Sequence, residues 1–295
     1  MGTPAPMSGG DDRAARGPLG IVAGGGAFPA AVAQAARAEG REVVLFLMTG
    51  FADPALECYP HVWFRVGSLG TVSAQAKARG VRDIVMVGTL TRPRVRDLGL
   101  DWTTLRLLPR IARLFRGGDN HLLSGVLGLV AEQGFRLVGA HEVAPALLLP
   151  KGRLGAVLPR PQDEADIALG LKVIRTLGPF DVGQGVIVVD GFVAAVEAAE
   201  GTDAVLSRYG AMRQSGRLRF GAGKGVLVKA PKPQQDRRVD LPSLGPATVI
   251  GAAEAGLAGI AFEAGGVIVP DCAELVKTAD ARGLFVLGMP AEART

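Results

Sequence analysis

Lys229, Lys232, Asp236, Arg237, Arg238 and Asp240 fall in one short stretch that also holds Pro231, Pro233 and Pro242. Cations neutralise phosphate oxygens, and carboxylates hold a divalent cation or orient water, so this composition suits phosphate chemistry. Proline fixes φ and removes backbone donors, which makes the stretch a stiff loop leaving a strand end. A solvated charged turn is the plainer alternative.

A second group, Glu197, Glu200, Thr202 and Asp203, follows an apolar run and opens a helix. Ligands in α/β proteins sit at such strand ends, although Thr202 or Asp203 serves equally well as a helix cap. These acids and the pair Asp236 and Asp240 are candidates to share one Mg2+, an ion that takes one or two carboxylates plus substrate phosphates.

Gly24, Gly25 and Gly26 join an apolar run to an alanine-rich segment opened by Phe28 and Pro29. Strand, glycine turn and helix start present backbone N–H groups to an anion. The match to a dinucleotide fingerprint is partial: Pro29 stands where the third glycine belongs, and the next apolar run ends in Leu47, Met48 and Thr49 with no acid for a ribose, which disfavours NAD. The turn is either a phosphate site or a tight approach of strand to helix. Asp119 and Asn120 precede a helix, where capping alone would account for them.

Other chemistries have little to stand on. His61, His121 and His141 lack metal-ligand spacing, and Ser124 and Ser207 lack a nucleophile-elbow pattern. Cys58 and Cys272 are far apart and read as reduced thiols of a cytoplasmic protein.

Positioning these groups requires a large scaffold, and 295 residues with 48% hydrophobic content and 42 glycines describe a two-domain α/β chain with tight turns. Residues 1–18 read as a disordered leader without the apolar core of a signal peptide. Runs at 19–23, 43–48, 62–66 and 83–87 alternate with helical patterns at 28–40 and 68–79, and helices at 101–116 and 120–133 precede a strand at 135–138. That alternation predicts an N-terminal Rossmann-like parallel-sheet domain over 19–150. Proline and glycine then punctuate a linker at 151–159. Beyond it, a helix at 163–176, a hairpin turning on Asp190 and Gly191, a helix at 202–213, a strand at 226–229 and two further helix–strand pairs predict a C-terminal mixed-sheet α/β catalytic domain over 160–295.

The net charge of +5 is concentrated: seven arginines and two aspartates lie between Arg92 and Arg116. A basic amphipathic helix there would rest on anionic lipid, or else pack its apolar stripe on the core. No base-reading module accompanies it, which argues against nucleic acid. No stretch reaches the ~18–20 continuous apolar residues of a membrane-spanning helix.

Taken together, Ala23-Gly-Gly-Gly-Ala-Phe-Pro29, Gly118-Asp-Asn-His-Leu-Leu123, Asp163-Glu-Ala-Asp-Ile-Ala-Leu-Gly170, Glu200-Gly-Thr-Asp203 and the segment from Lys229 to Pro242 resemble the LpxI-type UDP-2,3-diacylglucosamine pyrophosphatases of lipid A biosynthesis. The last two segments are the most specific. The resemblance runs from Leu19 to the C-terminus. It implies Mg2+-dependent hydrolysis of a lipid-linked UDP-sugar to UMP and 2,3-diacylglucosamine 1-phosphate, with water attacking the sugar-side phosphorus. It further implies a peripheral protein at the inner face of the inner membrane that holds its lipid between two domains, with a homodimer left open. Lys229, Lys232 and Arg237 are then the phosphate-neutralising cations, and Asp236 and Asp240 the metal or water ligands. Gly24, Gly25, Gly26, Phe28, Asp119, Asn120, Thr202 and Asp203 are the expected substrate contacts. A non-catalytic carrier or sensor of the same lipid is the alternative.

Overall fold

Apolar runs without polar alternation belong to strands covered on both faces, and such strands pair in parallel. The computed structural model describes residues 17–89, 99, 101, 102, 104, 106, 119–232, 236–238 and 241–291; of residues 119–124 and 126 it describes the backbone alone. Asp240, the first sixteen residues and most of the expected 101–116 helix lie outside the described residues, although Trp102, Thr104 and Arg106 are helical. The chain forms two units that divide between Ala144 and Pro145.

In the first unit, β1 (Leu19–Ala23), β2 (Val43–Met48), β3 (His61–Phe64), β4 (Asp83–Val87) and β5 (Arg136–Leu137) form one parallel sheet in the order β3-β2-β1-β4-β5. This is the doubly wound arrangement expected from the sequence, with the strand order reversing at β1 and β4. Helix α1 (Phe28–Ala38) begins with proline in its first turn and buries Val32, Ala33 and Ala36. The unit also holds helices α2 (Leu69–Ala78) and α3 (Asp119–Glu132) and the single turn α4 (Ala140–Val143).

Asp83 opens β4 almost wholly buried, and takes hydrogen bonds from Arg41 Nη2 at 2.6 Å and from Arg136 Nε and Nη2 at 2.8 and 2.9 Å. Burial pushes its pKa up, but the Arg136 and Arg41 hydrogen bonds and charges outweigh burial and hold it below the ordinary value. A carboxylate with a depressed folded-state pKa stabilises the fold above the unfolded value of about 3.9 and loses that contribution as pH falls through the folded value. Asp83→Asn is therefore expected to lower stability near neutrality by on the order of 2 kcal/mol. Melting curves of parent and variant between pH 7 and pH 2 should begin to converge below about pH 4 and close as pH falls through the lowered folded-state value, where protonation deprives the parent of the same charge. Parallel curves over that range would contradict the assignment.

The second unit contains β6 (Gly152–Leu154), α5 (Pro161–Leu177), β7 (Gly185–Val189), β8 (Phe192–Val196), α6 (Thr202–Gln214), β9 (Val226–Lys229), α7 (Pro246–Glu254), β10 (Gly259–Glu263), α8 (Cys272–Arg282) and β11 (Phe285–Met289). Its mixed sheet has the order β6-β11-β10-β9-β7-β8. Strands β9, β10 and β11 are parallel, whereas β7 runs antiparallel to both β9 and β8. Period-2 alternation divides the sheet between two cores. Ile187, Leu227, Ile260 and Val286 pack with Val205, Leu206, Tyr209, Val249 and Leu275 of α6 to α8. Val186, Val188, Val226, Val228, Ala261 and Phe285 pack with Ile167, Leu171 and Ile174 of α5. Helix α5 approaches β9 so closely that a Cβ on Gly170 would lie 2.6 Å from Val228 Cγ2.

The expected linker at 151–159 is corrected by β6, which pairs antiparallel with β11 through Leu154 and Val286, Arg153 and Leu287, and Gly152 and Gly288. A three-residue edge strand carries too little periodicity to separate from the prolines and glycines around it. The Asp190–Gly191 hairpin forms as expected. Both residues have positive φ, 48° and 78°, as a two-residue turn requires. Buried Asp166 fixes that turn by accepting from Asp190 N at 2.9 Å and Gly191 N at 2.7 Å. Asp163 accepts from Arg160 N, Nε and Nη2. Both aspartates of the 163–170 segment thus build the scaffold.

Candidate active site

Strand β9 delivers the first residue of the site. Leu227 faces the core beneath α6 to α8, and Lys229, two residues on, shares that face. Its ammonium reaches the N-terminus of α6, where Nζ donates to Thr202 Oγ1 at 2.6 Å and to Ser243 O at 3.4 Å. Lys229 is only 4% exposed. An ammonium so buried needs partners, and Thr202 Oγ1 in turn donates to Glu197 Oε1 at 3.2 Å.

The remaining charges gather at the same end of the sheet. Lys229 is level with Gly185 at the start of β7 and with Phe262, one residue before Glu263 at the end of β10. Ala230 N donates to Gln184 O at 3.1 Å, and Ala230, Pro231 and Lys232 are all buried, so the charged loop leaves β9 underneath its neighbours. Lys232 Nζ pairs with Asp181 Oδ1 from the turn before β7. Arg237 Nη2 donates to Glu263 Oε1 at 2.8 Å. Asp236 Oδ1 accepts from Arg238 N and Nε, each at 3.0 Å, and Oδ2 accepts from Arg238 Nη2 at 2.6 Å, which ties the carboxylate to its own turn.

Lys229, Lys232, Arg237 and Asp236 are therefore brought into one unit at one sheet end. Asp203 is exposed in the first turn of α6, where its charge favours the helix N-terminus. Glu200 is drawn to Arg208, whose Nη2 lies 2.7 Å from Glu200 Oε1 at the surface. Thr202, expected as a substrate contact, has its hydroxyl engaged between Lys229 and Glu197.

Gly24, Gly25, Gly26, Phe28, Asp119 and Asn120 belong to the first unit. The N–H groups of Gly24 and Gly25 donate to Val87 O at 2.8 Å and Thr89 O at 2.9 Å, which corrects their expected role as an anion cradle. A Cβ on Gly24 would lie 2.6 Å from Thr89 O, so close approach to the segment after β4 accounts for that glycine. Gly26, with φ of 89° and open space around it, leads into α1 and Phe28. Asp119 and Asn120 begin α3.

Asp181, Glu263 and the placement of Glu197 escape sequence reasoning. Asp181 and Glu263 lie 51 and 26 residues from their partners. One signal existed: Glu197 stands in the acidic run before Thr202.

Among the described residues no three His, Cys, Asp or Glu side chains converge as a metal cage. A Mg2+ ion bound mainly through ligand phosphates takes only one or two carboxylates and needs no such cage. Chemically, the cations gathered here fit an anion bearing several phosphate oxygens, each positive charge held in place beforehand by an acid or hydroxyl.

Family models match the chain over its two units: the LpxI N-terminal domain over residues 18–147 and the LpxI C-terminal domain over residues 150–287. The UDP-2,3-diacylglucosamine pyrophosphatase LpxI of Caulobacter vibrioides is 44% identical over 276 residues, which cover 94% of this chain and 99% of that protein. A solved structure of a Thermus thermophilus UDP-glucose 4-epimerase with NAD aligns over 94% of this chain and 88% of its own at 13% identity, with a TM-score of 0.28 that carries no argument.

Proposed function

Because the chain belongs to the LpxI family, we propose that it hydrolyses the pyrophosphate of UDP-2,3-diacylglucosamine to UMP and 2,3-diacylglucosamine 1-phosphate. The observation that carries this reading is the convergence of Lys229 and Lys232, 4% and 8% exposed, with Arg237 and Asp236 at one end of the second sheet. Water attacks the sugar-side phosphorus, the bond from that phosphorus to the bridging oxygen breaks, and UMP leaves with the bridging oxygen. Charge grows on the leaving oxygen and on the oxygens around the attacked phosphorus. Lys229, Lys232 and Arg237 neutralise it, and their prior pairing with Thr202, Asp181 and Glu263 keeps them oriented before the substrate arrives. Asp236 orients the attacking water or the metal.

Mg2+ is the expected ion. Asp236 and Asp240 would hold it together with the pyrophosphate oxygens, and it would supply Lewis-acid neutralisation of phosphoryl charge. Gly26, Phe28, Asp119 and Asn120 are assigned to the substrate on the strength of the resemblance. The acyl chains of that substrate call for a protein working at the cytoplasmic face of the inner membrane. Trp102, 71% exposed and with Arg106 Cζ 5.9 Å from its ring centroid, suits such an interface, and no described helix is long and apolar enough to cross a membrane.

The test is UMP release from detergent-dispersed UDP-2,3-diacylglucosamine with Mg2+ and with a chelator. We expect steady release with Mg2+ and a fall of about 100-fold or more on chelation, restored by adding the ion back. Stoichiometric binding without release would replace the hydrolase reading with a carrier or sensor. Full activity in chelator would remove Mg2+ from the mechanism.

A further inference from the structure

We propose that Glu197 is a positioning residue for the hydrolysis, holding Lys229 in place through the hydroxyl of Thr202; the inference rests on the hydrolase reading above. Hydrogen-bond chemistry fixes the direction of this chain. An ammonium can only donate, so Thr202 Oγ1 must accept from Lys229 at 2.6 Å. The single proton of the hydroxyl then goes to Glu197 Oε1 at 3.2 Å. A carboxylate at the far end thereby makes the hydroxyl oxygen a better acceptor for the buried cation.

The surrounding backbone is shaped to admit Glu197. Its N–H donates to Gly185 O at 2.8 Å as the chain leaves β8. A Cβ on Gly185 would collide with Glu197 Oε2, and one on Gly183 would collide with Glu197 O. Gly183 on the neighbouring turn and Gly185 at the start of β7 thus leave room for this one residue. Glu197 Oε2 is buried with no hydrogen-bond partner among the described residues. An apolar residue would fill the space without that penalty, so packing alone does not account for an acid here. The same turn carries Asp181, at a positive φ of 57° and paired with Lys232. One turn therefore frames the partners of two of the site's cations.

The test compares steady-state UMP release by the parent, Thr202→Val, Thr202→Ser, Glu197→Gln and the Thr202→Val/Glu197→Gln double variant, all in the full chain with Mg2+. Thr202→Val is expected to lower kcat about 30-fold with KM changed less than about threefold, since displacing a catalytic cation disturbs the transition state more than binding. Glu197→Gln should lower kcat about tenfold, and the double variant should be no slower than Thr202→Val alone, because both act through one hydroxyl. Thr202→Ser should recover to within about threefold of the parent, which loss of packing at this site would not predict. Melting temperatures within about 4 °C of the parent's would confirm that each variant is folded. A parent-like rate for Thr202→Val, no recovery by serine, or multiplicative losses in the double variant would each overturn the inference while leaving the hydrolase reading intact. A parent that releases no UMP would overturn both.

Discussion

Asp236→Ala is expected to lower kcat for UMP release by about 1,000-fold or more, equivalent to about 4 kcal/mol of transition-state stabilisation, while the protein remains folded. The reason lies in how the side chain is held. Both carboxylate oxygens are oriented by Arg238, and the side chain is 28% exposed, so it is fixed in direction. It belongs to a turn and to neither hydrophobic core, so its loss leaves no cavity beneath the sheet. The pair it forms is with part-exposed Arg238, and exposed ion pairs contribute about 1 kcal/mol or less, so the melting temperature should move by only a few degrees. Arg238→Ala is the discriminating control. If Asp236 matters only as an anchor for Arg238, the two variants lose activity equally; if Asp236 orients water or metal, Arg238→Ala is the milder by about tenfold or more. Residual activity in Asp236→Ala above about a tenth of the parent's would remove it from the mechanism.

Lys229→Met should lower kcat about 100- to 1,000-fold. Methionine approximates the length and apolar stem of lysine and removes only the charge and its donors, so the effect reports electrostatics more than shape. The group it replaces is buried beside Thr202 Oγ1 and Ser243 O, where neutralisation of phosphate charge is not diluted by water. Stability should change modestly, because the loss of these hydrogen bonds is offset by relief from burying an ammonium. Lys229→Arg should not restore the rate, since a planar guanidinium is larger and cannot reproduce a compact ammonium in a site that is 4% exposed. Measuring kcat and KM for the three proteins separates the possibilities. A Lys229→Met enzyme with parental kcat and a raised KM alone would make Lys229 a binding residue with no part in the transition state.

Much of the scaffold was legible because it is local. The apolar runs of β1 and β2, and the one that follows Asp83 in β4, read as doubly covered strands, and the alanine-rich segment opened by Pro29 and closed before Gly40 reads as a helix. Asp190 and Gly191 wrote the hairpin, since few residue pairs accept positive φ in succession. Strand β6 was hidden because its pairing partner, β11, lies more than 130 residues away. The glycine turn misled for a related reason. Its signature is the same whether its N–H groups face an anion or, as here for Gly24 and Gly25, the carbonyls of Val87 and Thr89.

The sequence by itself determined which residues carry charge, that three prolines stiffen the segment holding them, and that this segment leaves a strand end where ligands gather. Tertiary structure alone decided how each charge is used. It matched Lys232 with Asp181 and Arg237 with Glu263, placed Thr202 between Lys229 and Glu197, and turned Asp163 and Asp166 toward the scaffold. Strand periodicity and turn chemistry are properties of neighbouring residues, whereas the pairing of a buried charge depends on which distant segment the sheet brings alongside it.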